Sequence, residues 1–293
     1  MDTKVTNNNI TIKRKSQLSI VWGQLKKNPA AVTGMTMFGF LLFIAIFSPL
    51  FVPHDYASIN VFNANRPPSS SYFFGTDHVG RYIFSRILVG TRFSLTLGIL
   101  SVLLGTVLGL FIGSIAGFFG NIVDDVIMRI SDIFQSIPNM VLNVAVACVV
   151  GTGFWQCIFV LSINSIPITA RMIRNQILKI RTMEYIEAAG VINCSTPRII
   201  LRHLLPNSFS PIIVGMTMAV GGNIMAAAGL AFLGLGVQPP TPEWGAMLCE
   251  GRQFIERFPW MCIFPGIFIM ITVLSLNLFG DGLRDALDPK LKK

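Results

Sequence analysis

Ser94–Phe118 reads SLTLGILSVLLGTVLGLFIGSIAGF, 25 residues without one Asp, Glu, Lys, Arg or His. A helix of that length rises about 37 Å, enough to cross a hydrocarbon core about 30 Å thick. Within it Gly98, Gly105, Gly109, Gly113 and Gly117 recur at spacings of seven and four. The last four form a bare stripe on which another helix can approach closely. Whether that helix comes from the same chain or from a partner, the sequence leaves open. Either way the stretch commits the chain to a membrane.

Five further segments match it in kind: about Thr33 to Pro53, Ile133 to Val150, Phe154 to Ala170, Pro211 to Leu235 and Trp260 to Phe279. Gly151-Thr152-Gly153 leaves room only for a tight hairpin between the third and fourth. The whole chain agrees: 293 residues, 52% hydrophobic and 13% charged, with mean hydropathy +0.63. Soluble domains carry about 25% charged residues. The expectation is an all-α integral membrane protein with six transmembrane helices. The first apolar run is too long for a cleavable signal and is expected to stay as an anchor.

Six spans place both termini on one side. With the N-terminus inside, the inner pieces hold six Lys and Arg before residue 33, one in 119–132, six in 171–210 and four in 281–293. The outer pieces hold four in 54–93 and two in 236–259. This asymmetry puts both termini in the cytoplasm. It also accounts for the net charge of +9 without nucleic acid as a partner. Ahead of the first span, Leu18, Val21, Trp22 and Leu25 share one helical face, followed by Lys26 and Lys27. Such a helix is expected to lie in the membrane interface, held by apolar burial and anionic lipid. The chain divides into a cytoplasmic tail (1–32), a first helix with an outer loop (33–91), a core (92–281) and a short cytoplasmic tail (282–293).

Several chemistries are excluded or disfavoured. Cys148, Cys157, Cys194, Cys249 and Cys262 are odd in number and lack paired spacing, so no disulfide framework or metal site is read. His54, His78 and His203 lie far apart in sequence. No ionisable residue falls in the middle of a span, which weighs against a proton-coupled secondary transporter. A secondary transporter stays as the runner-up class, and a purely structural membrane scaffold comes last. The dipeptide Gly-Lys never occurs, so there is no phosphate-binding loop and no catalytic site is expected. Asn139, Asn143, Asn164, Thr217 and Asn223 are uncharged polar residues within the spans. They either line a path for a polar solute or hydrogen-bond between helices.

The longest inner loop runs from about Arg171 to Ser210. It predicts a first short helix over Met183–Ile192, with Thr182 as N-cap and Glu184 in the first turn, ended by Asn193. A second begins at Thr196 as N-cap with Pro197 next and stops before Pro206. Small Ala188 and Ala189 beside Glu187 and Gly190 make a surface that a partner can approach. The stretch resembles the EAA loop of binding-protein-dependent ABC importer permeases: Glu187-Ala188-Ala189 and Leu205-Pro206 stand at the family spacing. Asn193 occupies the family's glycine position and His203 a hydrophobic one. Asn tolerates positive φ better than other non-glycine residues.

Longer motifs carry the likeness further. Gly75-Thr76-Asp77, Gly80-Arg81, Ser85-Arg86, Ser136-Ile137-Pro138, the run Phe232–Pro242 and Gly280–Pro289 resemble the dipeptide/oligopeptide/nickel permease family, in its second-permease branch. Tyr82 stands where that branch usually has Asp, and Ala227 where peptide members usually have Glu. The resemblance implies a type I ABC importer permease fold with cytoplasmic coupling helices. It implies a homologous permease subunit, two ABC ATPase subunits and an extracytoplasmic solute-binding protein as partners, in a bacterial cytoplasmic membrane. ATP and Mg would be bound by the ATPases, and no cofactor by this chain. Glu187, Ala188, Ala189, Gly190, Asn193, Leu205 and Pro206 would form the ATPase-coupling loop. The cargo implied is a di- or oligopeptide, with nickel or a metal chelate as the alternative.

Overall fold

A computed structural model describes residues 17–186 and 194–287. Among these the chain is helical, with one isolated bridge between Thr76 and Tyr82 in place of any sheet. The elements are α1 (Gln17–Leu25), α2 (Pro29–Phe51), α3 (Ile83–Phe119), α4 (Asn121–Ser136), α5 (Asn139–Val150), α6 (Phe154–Arg181), α7 (Thr196–Ile199), α8 (Leu205–Phe232), α9 (Trp244–Gly251) and α10 (Trp260–Leu287). α2, α3, α6, α8 and α10 are each long and apolar enough to span a membrane.

The third span expected over Ile133–Val150 is corrected: it is a pair of helices, α4 and α5, bent by 94°. The cause is local. Pro138 pushes Ile137 into extended backbone (φ −87°, ψ 129°), as a residue before proline prefers. α5 alone, 12 residues long, rises only about 18 Å. Only taken together are α4 and α5 long and apolar enough to cross a membrane, as a broken span or a re-entrant loop.

Other boundaries also move. α6 continues past Ala170 to Arg181, so the first 11 residues assigned to the inner loop are helix. α3 has 37 residues, about 55 Å of helix, and projects well beyond its apolar run. Pro206 does not stop the chain: Ile200–Leu204 forms a π-type turn and α8 begins at once. The wider turn absorbs the register that proline disrupts by lacking an N–H and crowding the carbonyl four residues back.

Local chemistry explains the joints that hold. Asn28 caps α2, its side-chain oxygen accepting from the N–H groups of Ala30 and Ala31 at 3.0 and 3.3 Å, with Pro29 at the first helical position. Gly151 and Gly153 turn the hairpin between α5 and α6 at φ +91° and +140°, a region closed to most other residues. The glycine stripe is used within the chain. A Cβ on Gly105 would lie 2.5 Å from Ser165 Cβ, and one on Gly109 2.7 Å from the Ile166 carbonyl; Gly113 and Gly117 face Ala170 and Ile177. All four pack on α6. Gly98 faces Ile224 of α8.

The core is a chain of clusters. Leu97, Cys157, Leu161, Ala227 and Leu230 join α3, α6 and α8. Leu41, Leu95, Val102, Val220, Ile224 and Leu276 join α2, α3, α8 and α10. At one end Val21 and Leu25 of α1 pack with Ala31, Leu283 and Ala286. The expected interfacial helix thus divides its apolar face: Val21 and Leu25 bind the bundle, while Trp22 stays exposed with the Lys26 ammonium 5.1 Å from its ring centroid.

Candidate functional site

The segment expected as the longest inner loop forms a bracket between α6 and α8, and it grows from an isoleucine core. Ile173, Ile177 and Ile180 fall on one face of α6 and pack with Ile186, Ile199, Leu204 and Ile212. Residues 184–186 are helical, as expected for the start of the first short helix. Thr182, expected as its N-cap, instead closes α6 by donating its hydroxyl to the Lys179 carbonyl at 3.2 Å. α7 begins at Thr196. Both flanks of the bracket are therefore seated by buried apolar side chains. Glu187, Ala188, Ala189, Gly190 and Asn193 lie outside the described residues, as does most of the first short helix. Leu205 and Pro206 are the first two residues of α8.

Ion pairs brace the same end. Arg174 holds Asp124 through two nitrogens, Nε lying 2.9 Å from Oδ1, and Arg171 pairs with Asp132. These tie α6 to α4. α1 and the end of α10 meet here too, with Val214 of α8 packed against them. Thus the bracket's second flank and the described ends of the chain share one end of the bundle.

The polar residues within the spans mostly tie helices. Asn164 Nδ2 donates to Asn143 Oδ1 at 2.6 Å and approaches the Asn139 carbonyl at 3.5 Å, linking α6 to α5. Asn223 Nδ2 donates to Ser101 Oγ at 2.8 Å, linking α8 to α3. Thr217 donates to the Ile213 carbonyl within its own helix. Asn139 is exposed and Thr217 half-buried, so these two keep polar surface outside the packed core. Ala227 is buried in the apolar cluster, where an ionised carboxylate would be costly.

At the opposite end two constellations appear that the sequence reading did not assemble. Arg81 Nε lies 2.6 Å from Asp77 Oδ2 and Arg81 Nη2 2.7 Å from Glu250 Oε2. Arg86 Nη1 reaches the same two oxygens at 2.7 and 2.8 Å. This four-membered ring fastens the entry to α3 onto α9. His78 also comes near: one ligand atom each from Asp77, His78 and Glu250 lies within 4.8 Å of the others. The two guanidinium groups already supply the positive charge there, which opposes a cation. The signal that could have found the ring is two arginines four and nine residues after an acid, just ahead of a span.

Glu243 is the second. Its side chain caps α9, accepting from Ala246 N–H at 2.9 Å and from the Ser94 hydroxyl at 3.0 Å. The Trp244 N–H donates back to Ser94 Oγ at 3.0 Å. Trp244 itself is fully buried and donates its indole N–H to the Ile87 carbonyl. Burial pushes the Glu243 carboxyl above the usual carboxylate range, opposed by the N–H groups of Gly245 and Ala246 and by the Ser94 hydroxyl.

Comparison with known proteins gives a consistent picture. Residues 105–293 match the family of binding-protein-dependent transport system inner membrane components. Residues 16–68 match the N-terminal TM domain of oligopeptide transport permease C. The chain is 44% identical over 92% of its length, and 88% of the relative's, to the dipeptide transport system permease protein DppC of Alkalihalophilus pseudofirmus. It is 46% identical to the glutathione transport system permease protein GsiD of Shigella flexneri, covering 92% of this chain and 90% of that one. Among solved structures, the inward-facing MetNI methionine ABC transporter aligns with TM-score 0.58 at 22% identity, covering 70% of this chain and 98% of that chain. An amino acid ABC transporter aligns with TM-score 0.53 at 16% identity, over 70% and 95%. The fold is that of the type I ABC importer permeases.

Proposed function

Because the chain belongs to the family of binding-protein-dependent transport system inner membrane components, we propose that it carries small peptides inward across the bacterial cytoplasmic membrane as one half of an ABC importer's pore. The cargo reading is supported by its likeness to relatives named for dipeptides and for glutathione, itself a short peptide. The observation that carries the mechanism is the shared end of the bundle. The seated flanks of the inner-loop bracket, the α4–α6 ion pairs and the α1–α10 contact all lie there.

On this reading that end faces the cytoplasm, with both termini inside. A homologous permease completes the pore, two ATPase subunits dock from below, and an extracytoplasmic binding protein delivers the peptide. ATP and Mg belong to the ATPases, and ATP hydrolysis occurs there. Glu187, Ala188 and Ala189 contact the ATPase, while Asn193, Leu205 and Pro206 shape the bracket. When the ATPases close, force enters through Ile186 on one flank and Ile199 and Leu204 on the other, and passes to α6 and α8. Those two helices carry Asn164, Thr217 and Asn223, so their displacement re-aims polar groups along the path. Alternating access requires that the nucleotide states differ in their contacts with this bracket.

The test is Glu187→Lys. Peptide uptake is expected to fall to background while the subunit stays at its normal level in the membrane. Crosslinking from the bracket to the ATPase should be lost with it. Wild-type uptake by this variant would refute the coupling role.

A further inference from the structure

A cavity of about 460 Å³ opens between the end of α2 and the first turns of α3. Val52, Val89 and Phe93 form its apolar wall, and His54, Asp55, Tyr56 and Arg92 contribute polar groups. Its height follows from the chain. α2 ends at Phe51, and the ion-free stretch of α3 begins at Ser94, two residues after Arg92. Both helices leave the hydrocarbon at this level, so the cavity lies where lipid headgroups lie.

Its two charges are unspent. Among the described residues neither Arg92 nor Asp55 has an ion-pair partner, and they do not pair with each other. Asp55 uses one oxygen, Oδ1, to accept from the Ala57 N–H at 3.1 Å. That turn fixes the carboxylate and leaves Oδ2 available.

We propose that this cavity binds the headgroup of an aminophospholipid of the phosphatidylethanolamine class, Arg92 taking the phosphate and Asp55 the primary ammonium. A cation and an anion facing one cavity call for a ligand carrying both signs. A quaternary choline has no N–H to donate to Asp55, and a glycerol headgroup brings no positive charge at all. A free zwitterionic peptide shares the two charges, and the glycylglycine arm of the test separates it from a lipid. The inference depends on where two segments leave the bilayer and not on the cargo, so it stands or falls separately from peptide transport.

The test uses the purified, delipidated importer complex with dioleoyl phosphatidylethanolamine, phosphatidylcholine and phosphatidylglycerol, retained lipid being counted by native mass spectrometry. The wild type should retain the ethanolamine lipid about three- to five-fold better than the other two, the scale of one exposed ion pair. Asp55→Asn preserves the turn, since its amide oxygen can still accept from Ala57, and should abolish the preference of ethanolamine over choline. Arg92→Gln should lower retention of all three. Equal retention of the three lipids by the wild type would overturn the proposal. So would an undiminished ethanolamine preference in Asp55→Asn, or displacement of the lipid by glycylglycine, which would mark the cavity as a cargo site.

Discussion

Glu243 shows how much one side chain decides. Its carboxyl group caps α9, holds the Ser94 hydroxyl and so fixes the fully buried Trp244 against α3. Glu243→Ala should cost about 1 kcal/mol through the lost cap, read as a lower apparent melting temperature of the purified complex. Glu243→Gln separates packing from charge, because the amide can accept from Ala246 and donate to Ser94. Burial raises the folded-state pKa of Glu243, so its protonated form is favoured by the fold. The stability it contributes is present at acid pH and lost as pH rises through that raised value. The wild type should therefore lose more apparent stability between about pH 5 and about pH 8 than Glu243→Gln does. A parallel pH profile in the two proteins would show that the carboxyl does not titrate in this way.

At the scale of elements the glycine stripe is the deciding contact. α3 and α6 approach until a Cβ on Gly109 would sit 2.7 Å from both the Ile166 carbonyl oxygen and Thr169 Cβ. Backbone cannot move aside as a side-chain tip can, so Gly109→Leu must force the helices apart. Overpacking of this kind costs about 1–3 kcal/mol, and the complex should assemble poorly on size-exclusion chromatography. Gly39 on α2 has nothing within 4 Å of the same added atom, so Gly39→Ala should assemble normally. If Gly109→Leu also assembled with unchanged stability, the tight α3–α6 contact would be wrong.

Across the whole molecule the two ends differ in kind. One end holds the bracket's apolar seat and the α4–α6 ion pairs. The other holds the Asp77–Arg81–Arg86–Glu250 ring and the capped helix α9. Among the described residues Lys and Arg are in excess at the first. A reporter active only in the cytoplasm, fused after Lys293, should therefore be active, and a periplasmic reporter at the same point silent. The reverse pattern would invert the topology and remove the bracket from reach of any ATPase.

The apolar runs, their glycines and the charge asymmetry made most of the spans and their order legible, because a bilayer punishes exposed backbone and charge wherever they fall in the chain. Sequence also limited what Asn143, Asn164 and Asn223 could do to two options. Only the packed structure showed that they bond α5 to α6 and α3 to α8, that the glycine stripe meets a helix of its own chain, and that the chain bends by 94° at Pro138 between α4 and α5. It alone brought Asp77, Arg81 and Arg86 to Glu250, more than 160 positions away. Local pattern records what each segment tolerates as a neighbour; which neighbour it receives is settled when the helices are folded against one another.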